Sequence, residues 1–273
     1  MFLSNFHYSI LGTNQAKRIV FVHGLMAFAA NWRKIANRLE DEFQCLIYDQ
    51  RGHGRSFKPE FGYRTEDFAE DLYKITEELG WDRFHLVGHS MGGKNAIVFA
   101  DLYPEKVITL TIEDIGAEVT PQVLGYYQRM LKAVPTPFVN REAVQNFFQN
   151  EFKNRFQSKE PNEVLSTFLQ ANIEEKPDKS YDWRFSKQAI FYTVKSGHQK
   201  NRWHEVSQLR MPTLLVRGEK SHVFSHEEYE KMLSTNSKIQ GVEVAGAGHW
   251  LHYEKYEEFV QILRDFIRQN SGN

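Results

Sequence analysis

At 273 residues with 41% hydrophobic residues, the chain is long enough for one large α/β domain, or a core with a small appendage, and does not have a disordered composition. Its formal net charge of −1 supplies no basic excess, so neither nucleic acid nor an anionic membrane is expected as a partner, and a neutral small molecule fits better. The single cysteine, Cys45, lies in the apolar run CLIY, which excludes an intramolecular disulfide and reads as a buried core thiol.

The opening MFLSNFHYSILG has no basic n-region and no long apolar h-region. No stretch approaches the ~20 apolar residues that span a bilayer, so a cytoplasmic protein is the expectation. β-rich runs at 7–11 and 18–22 lead to a helical segment at 32–39 and another strand at 43–48. Strands alternating with helices imply a mostly parallel sheet. The turn DQRGHGRS, residues 49–56, follows; its glycines shape a loop, and no Walker lysine comes after them to bind phosphate. Apolar residues at helical spacing mark 65–79, and a strand at 84–87 runs into the sequence GHSMGG.

That sequence is a GxSxG pattern centred on Ser90. In a nucleophile elbow the chain turns sharply from strand to helix, which exposes the serine and requires neighbours without a Cβ at Gly88 and Gly92. A helix at 94–102 stops at Pro104, and a β-rich run at 107–112 ends in Glu113-Asp114. Ligands of parallel α/β sheets sit outside such carboxyl ends. From 118 to 202 the pattern turns helical with no convincing strand, punctuated by Pro135, Pro137, Pro161 and Pro177. This segment reads as a helical cap between core segments 1–117 and 203–273. Its many aromatic residues build a small core of their own, with a few left to line an acyl pocket. Strand and helix resume at 213–217, 226–233, 239–244 and 256–267.

A serine hydroxyl needs a base within hydrogen-bond reach and a third group to orient that base. Of eleven histidines, His249 stands in AGAGHW between the last strand and the last helix, where a glycine-rich loop carries an imidazole over the sheet edge. It also follows the serine, as the Ser…Asp…His order requires. His23 and His53 belong to tight glycine turns and read as structural hydrogen-bonders. His222 and His226 have helical metal-ligand spacing but no third ligand, so no metal is expected. The oxyanion donors are expected to be the backbone N–H groups of Met91, in the first turn after the elbow, and Leu25, after the early strand.

HG after an early strand, DQRGHGRS, GHSMGG and GAGHW, in this order, resemble the α/β-hydrolase superfamily over essentially the whole chain. GHSMGGK, the WRF of 183–185 and a serine at the usual acid position are similar to the small YbfF-type bacterial esterases and their mitochondrial relatives. The resemblance implies an eight-stranded, mostly parallel sheet with a helical cap between strands six and seven, and ester hydrolysis without a cofactor. It also locates a departure. Where the superfamily usually has its acid, this chain reads Gly218-Glu219-Lys220-Ser221, without an aspartate. Asp114 is similar in placement to the acid of a subgroup that has moved this residue, and is assigned over Glu219. Ser221 is a supporting candidate, and Lys94 reads as solvated or ion-paired.

The expectation is therefore a monomeric or homodimeric serine hydrolase cleaving carboxylic esters, or thioesters, of short to medium acyl chain through an acyl-enzyme. Two rivals stand beside it. One is carbon–carbon bond hydrolysis, acyl transfer or lyase chemistry on the same scaffold, for which Arg184 is the candidate pocket residue to hold a substrate carboxylate. The other is a catalytically inactive ligand-binding receptor.

Overall fold

The computed structural model describes residues 1–14, 17–118, 122–157, 162–197 and 200–270; Pro161, one of the prolines that punctuate the helical segment, lies outside them. The strands are β1 (Tyr8–Leu11), β2 (Lys17–Val22), β3 (Phe43–Tyr48), β4 (Phe84–His89), β5 (Val107–Glu113), β6 (Ile173–Glu175), β7 (Tyr181–Trp183), β8 (Thr213–Gly218) and β9 (Ile239–Val244). Seven of them form one sheet in the order β1-β3-β2-β4-β5-β8-β9. Only β1, at the edge, runs antiparallel to its neighbour.

The residue pattern had marked these seven strands; the eighth, implied by resemblance, is absent among the described residues. The chain instead opens on a tight turn at Leu3–Asn5, whose flanking Phe2 and Leu3 amides donate to the Glu78 carboxylate at 2.5 and 2.8 Å. Those bonds hold the opening residues against a helix end. The inserted helical segment consequently follows the fifth strand of the main sheet.

Parallel strands covered on both faces must be apolar on both. All six residues of β3 and of β8 are buried. Side chains alternate: Val20, Val22, Leu46 and Leu86 enter one apolar cluster, while Ile19, Phe21, Cys45 and Val87 enter the other. Helices α1 (Arg33–Leu39), α2 (Thr65–Glu78) and α3 (Met91–Leu102) come from the first half of the chain. The inserted segment supplies α4 (Val123–Ala133), α5 (Arg141–Asn146), α6 (Phe152–Arg155), α7 (Asn162–Ala171) and α8 (Lys187–Ser196), and α9 (Trp203–Gln208), α10 (His226–Thr235), α11 (Leu251–Glu254) and α12 (Tyr256–Asn270) follow. In α12, Phe259, Leu263, Phe266 and Ile267 are buried at helical spacing, each contributing about 1.5–3 kcal/mol by leaving water. Helix α2 is stopped by Gly80 at φ +65°, a left-handed position that glycine occupies without a Cβ penalty.

The inserted segment contains a short hairpin that the sequence pattern did not reveal. Three-residue strands β6 and β7 pair antiparallel around a turn in which Asp178 Oδ1 accepts from the Ser180 amide and hydroxyl at 3.0 and 2.6 Å. Strands this short, carrying Glu174, Glu175 and Asp182, have too little alternation to register. Phe138, Phe147, Phe148, Phe152 and Phe156 pack ring against ring, in a cluster that also takes in Ile173 and Trp183 of the hairpin and Leu25, Met91 and Trp250. No helix among the described residues is long and apolar enough to cross a membrane.

Candidate active site

Strand β4 ends at His89 and the next residue, Ser90, takes φ 54°, ψ −120°, a strained conformation costing about 1–3 kcal/mol. Its neighbours over-determine it. A Cβ on Gly88 would stand 2.3 Å from the Gly92 carbonyl oxygen, and one on Gly92 would stand 2.2 Å from that of Val22. Main chain therefore touches main chain on both sides of the elbow, and the Ser90 amide donates to the Glu113 carbonyl at 2.9 Å. Met91 opens α3, so by position its N–H lacks an intrahelical acceptor. Its side chain is fully buried.

The next strand ends in the same way. Asp114, just past β5, has φ 50° and is wholly buried; its amide donates to the Val216 carbonyl at 2.8 Å. Oδ2 lies 2.7 Å from His249 Nδ1 and accepts a bond of 2.5 Å from Ser221 Oγ, while Oδ1 accepts the Gly218 amide at 2.9 Å. The structure thus brings together His249, Asp114 and Ser221. Glu219 faces elsewhere, its carboxylate accepting the Gly246 amide at 2.7 Å.

Ser90 and His249 both line one cavity of about 930 Å³. Leu25 and His23, in the turn after β2, line it too, and Tyr126, Tyr127, Phe168 and Trp250 form aromatic walls, Phe168 packing on Trp250 at 5.3 Å between centroids. Polar residues, Glu118, His222, Glu228 and Lys231, line it as well.

A sequence model of the alpha/beta hydrolase fold matches residues 17–256. The chain belongs to the α/β-hydrolase family. It is 26% identical over 91% of its length to the 2-(acetamidomethylene)succinate hydrolase of Mesorhizobium japonicum, covering 87% of that protein. It is 25% identical to esterase YbfF of Escherichia coli, over 91% of this chain and 92% of the other. Among solved structures, a marine microorganism esterase superimposes with a TM-score of 0.81 at 28% identity, over 96% of this chain and 98% of that one. These relatives support hydrolase activity and bear out the likeness to small bacterial esterases.

Within this α/β-hydrolase, several residues sit otherwise than expected. Arg184 does not line the cavity: its guanidinium pairs with Glu174 at 2.9 Å, donates to the Ala171 carbonyl at 3.1 Å and lies over Phe28. The hairpin that the sequence pattern hid is what draws it away. Arg129 is the arginine found on the cavity wall among the described residues. Lys94 is neither solvated nor ion-paired but fully buried; its Nζ donates to the Glu118 carbonyl at 3.1 Å, and burial holds its pKa down to about 7. His226 pairs with Glu243 while His222 lines the cavity, so the two do not converge. His23 and His53 are buried hydrogen-bonders, His23 Nδ1 lying 2.8 Å from the Gly24 carbonyl and His53 Nδ1 3.0 Å from that of Arg51. Cys45 is buried, and desolvation pushes its thiol up to about 12.

The sequence reading missed a second constellation. His89, Glu113 and His252 are buried together beside Ser90, Asp114 and His249. One signal was available: His89 and Glu113 each immediately precede a candidate catalytic residue.

Proposed function

We propose that this hydrolase is a serine carboxylesterase that cleaves esters of short to medium acyl chain, thioesters included, through an acyl-enzyme. The observation that supports it most is the pairing of His249 Nδ1 with buried Asp114 at 2.7 Å on the wall of the cavity that Ser90 also lines. With Nδ1 engaged by the carboxylate, Nε2 carries the lone pair that takes the Ser90 proton. The hydroxyl oxygen then attacks the ester carbonyl, and the negative charge forming on the carbonyl oxygen is met by the Leu25 and Met91 amides. The imidazolium returns its proton to the departing alcohol, leaving an acyl-serine. Water, deprotonated by the same His249, releases the acid.

The aromatic walls favour an apolar acyl group of modest length, and no cofactor, metal, nucleic acid or membrane enters the scheme. For the carbon–carbon reading Arg184 is engaged with Glu174, and Arg129, on the cavity wall, is the arginine whose substitution tests it. The test is covalent labelling with a fluorophosphonate probe, followed by turnover of graded 4-nitrophenyl esters. Labelling at Ser90, abolished in Ser90→Ala together with a loss on the order of a million-fold in turnover, is expected. Full activity in Ser90→Ala would overturn the reading, and an unlabelled, inactive parent would favour the receptor alternative.

A further inference from the structure

Asp114 holds the ring of His249 but not its main chain. His249 sits in a loop between β9 and α11, far in sequence from the elbow, and an imidazole displaced by an ångström no longer serves its serine. Something must fix that loop against β4 and β5.

The buried constellation next to the site does so. His89 Nε2 lies 2.9 Å from the His249 carbonyl oxygen; because a carbonyl only accepts, Nε2 carries the proton. Glu113 reaches the next turn: its Oε1 accepts the His252 amide at 2.9 Å, and its two oxygens lie 2.9 and 3.0 Å from His252 Nδ1. The main-chain carbonyl of the same Glu113 accepts the Ser90 amide. One residue thus binds the elbow with its backbone and the His249 loop with its side chain, while its successor, Asp114, binds the His249 ring. Trp32 covers His252 with ring centroids 4.5 Å apart.

The arrangement is electrostatically poised rather than strongly charged. Burial pushes Glu113 up to about 7 and His252 down to about 3, so at neutral pH the pair holds at most one negative charge. It is not shaped as a metal centre, although its ligand atoms lie within 4.8 Å of one another. His89 Nε2 presents a proton, not a lone pair, to the His249 carbonyl. A Cβ on Gly24 would come within 2.8 Å of His89 Nδ1, so main chain crowds that nitrogen too.

We propose that His89 and Glu113 are positioning residues that hold His249 in register with Ser90 and Asp114, through the His249 carbonyl and the first turn of α11. The proposal rests on the triad reading above and goes beyond it. It differs from a packing role because it depends on hydrogen bonds, one donated by His89 and one accepted by Glu113.

His89→Phe removes the donor while keeping a flat ring, and His89→Gln restores an N–H near the same place. With saturating 4-nitrophenyl butyrate, His89→Phe is expected to lose about 10–100-fold in kcat with KM within about twofold, and His89→Gln to recover most of the loss. The downfield proton resonance of His249 Nδ1–H is expected to broaden in His89→Phe and sharpen again in His89→Gln. Wild-type kcat and an unchanged resonance in folded His89→Phe would overturn the proposal, as would equal losses in both variants. Glu113→Met, which removes the acceptor for the His252 amide, is the second variant should His89→Phe not fold, with a kcat loss at constant KM expected and a parental kcat overturning the proposal. Ser90→Ala is measured alongside. If it retains turnover, the triad reading has failed, and the resonance alone decides the positioning role.

Discussion

Ser221 Oγ donates to the carboxylate oxygen of Asp114 that faces His249, at 2.5 Å, and itself accepts the Val223 amide at 3.2 Å. A hydroxyl from the turn after β8 therefore steadies the proposed acid at the end of the neighbouring strand β5. Asp114→Asn is expected to lose about three to four orders of magnitude in kcat, because a neutral amide no longer stabilises the imidazolium and favours the wrong tautomer. Ser221→Ala is expected to lose only about three- to tenfold, and Glu219→Gln to stay within about threefold. Steady-state kinetics on the three purified variants check the ranking, and a crippled Glu219→Gln would move the acid to the β8 turn.

Phe168 and Trp250 close the aromatic side of the cavity. Acetyl-to-octanoyl esters are expected to outpace long-chain triglyceride emulsions. Phe168→Ala is expected to shift the optimum toward longer acyl chains while costing about tenfold in kcat/KM on short ones, consistent with ~1–2 kcal/mol of lost apolar contact. A graded ester panel reads this directly; activation by an emulsion surface would contradict it.

Two glycines with different surroundings separate steric need from backbone preference. Gly88→Ala drives a methyl to 2.3 Å from a carbonyl oxygen and is expected to cost more than about 3 kcal/mol or to abolish folding. Gly80, at φ +65°, has nothing within 4 Å of an added Cβ, so Gly80→Ala is expected to cost only the left-handed strain, about 1–2 kcal/mol. Urea unfolding of both variants gives the comparison.

Lys94 is a buried cation whose pKa falls from 10.5 to about 7 on folding, through desolvation. Between those values the unfolded chain binds a proton that the folded chain does not, so this group makes stability rise with pH across that window. Below pH 7 the folded protein carries the full penalty. Lys94→Met is therefore expected to stabilise the protein at pH 6 by roughly 2–4 kcal/mol, less the bond to the Glu118 carbonyl and the attraction of Glu228. The advantage shrinks toward pH 10.5. Urea midpoints from pH 6 to 10 check it; an advantage that grows with pH would reverse the assignment.

Most of the sheet was legible because buried parallel strands leave long apolar runs, and the elbow because its glycines cannot be replaced. Ser90 and His249 fell out of motif spacing and chain order and Asp114 out of the resemblance to a subgroup with a moved acid, and the structure brings Asp114 and His249 into contact while placing Ser90 on the cavity that His249 lines. The hairpin of β6 and β7 did not, since three residues carry no period, and Arg184 was misplaced as a result. Lys94 was misread for a different reason: a lysine one turn into a helix gives no sign of which face is covered. The His89–Glu113–His252 cluster requires three distant segments to converge, which no local pattern records.

With the proposed acid at the end of β5, the turn after β8 has only the Ser221 hydroxyl to supply. His222 and Val223, in that turn, contribute to the cavity wall instead, and Val223 is 46% exposed. Pairs of substitutions at these two positions are thus the natural starting library for directed evolution of substrate range, because the turn can diversify while Asp114 stays anchored on the sheet.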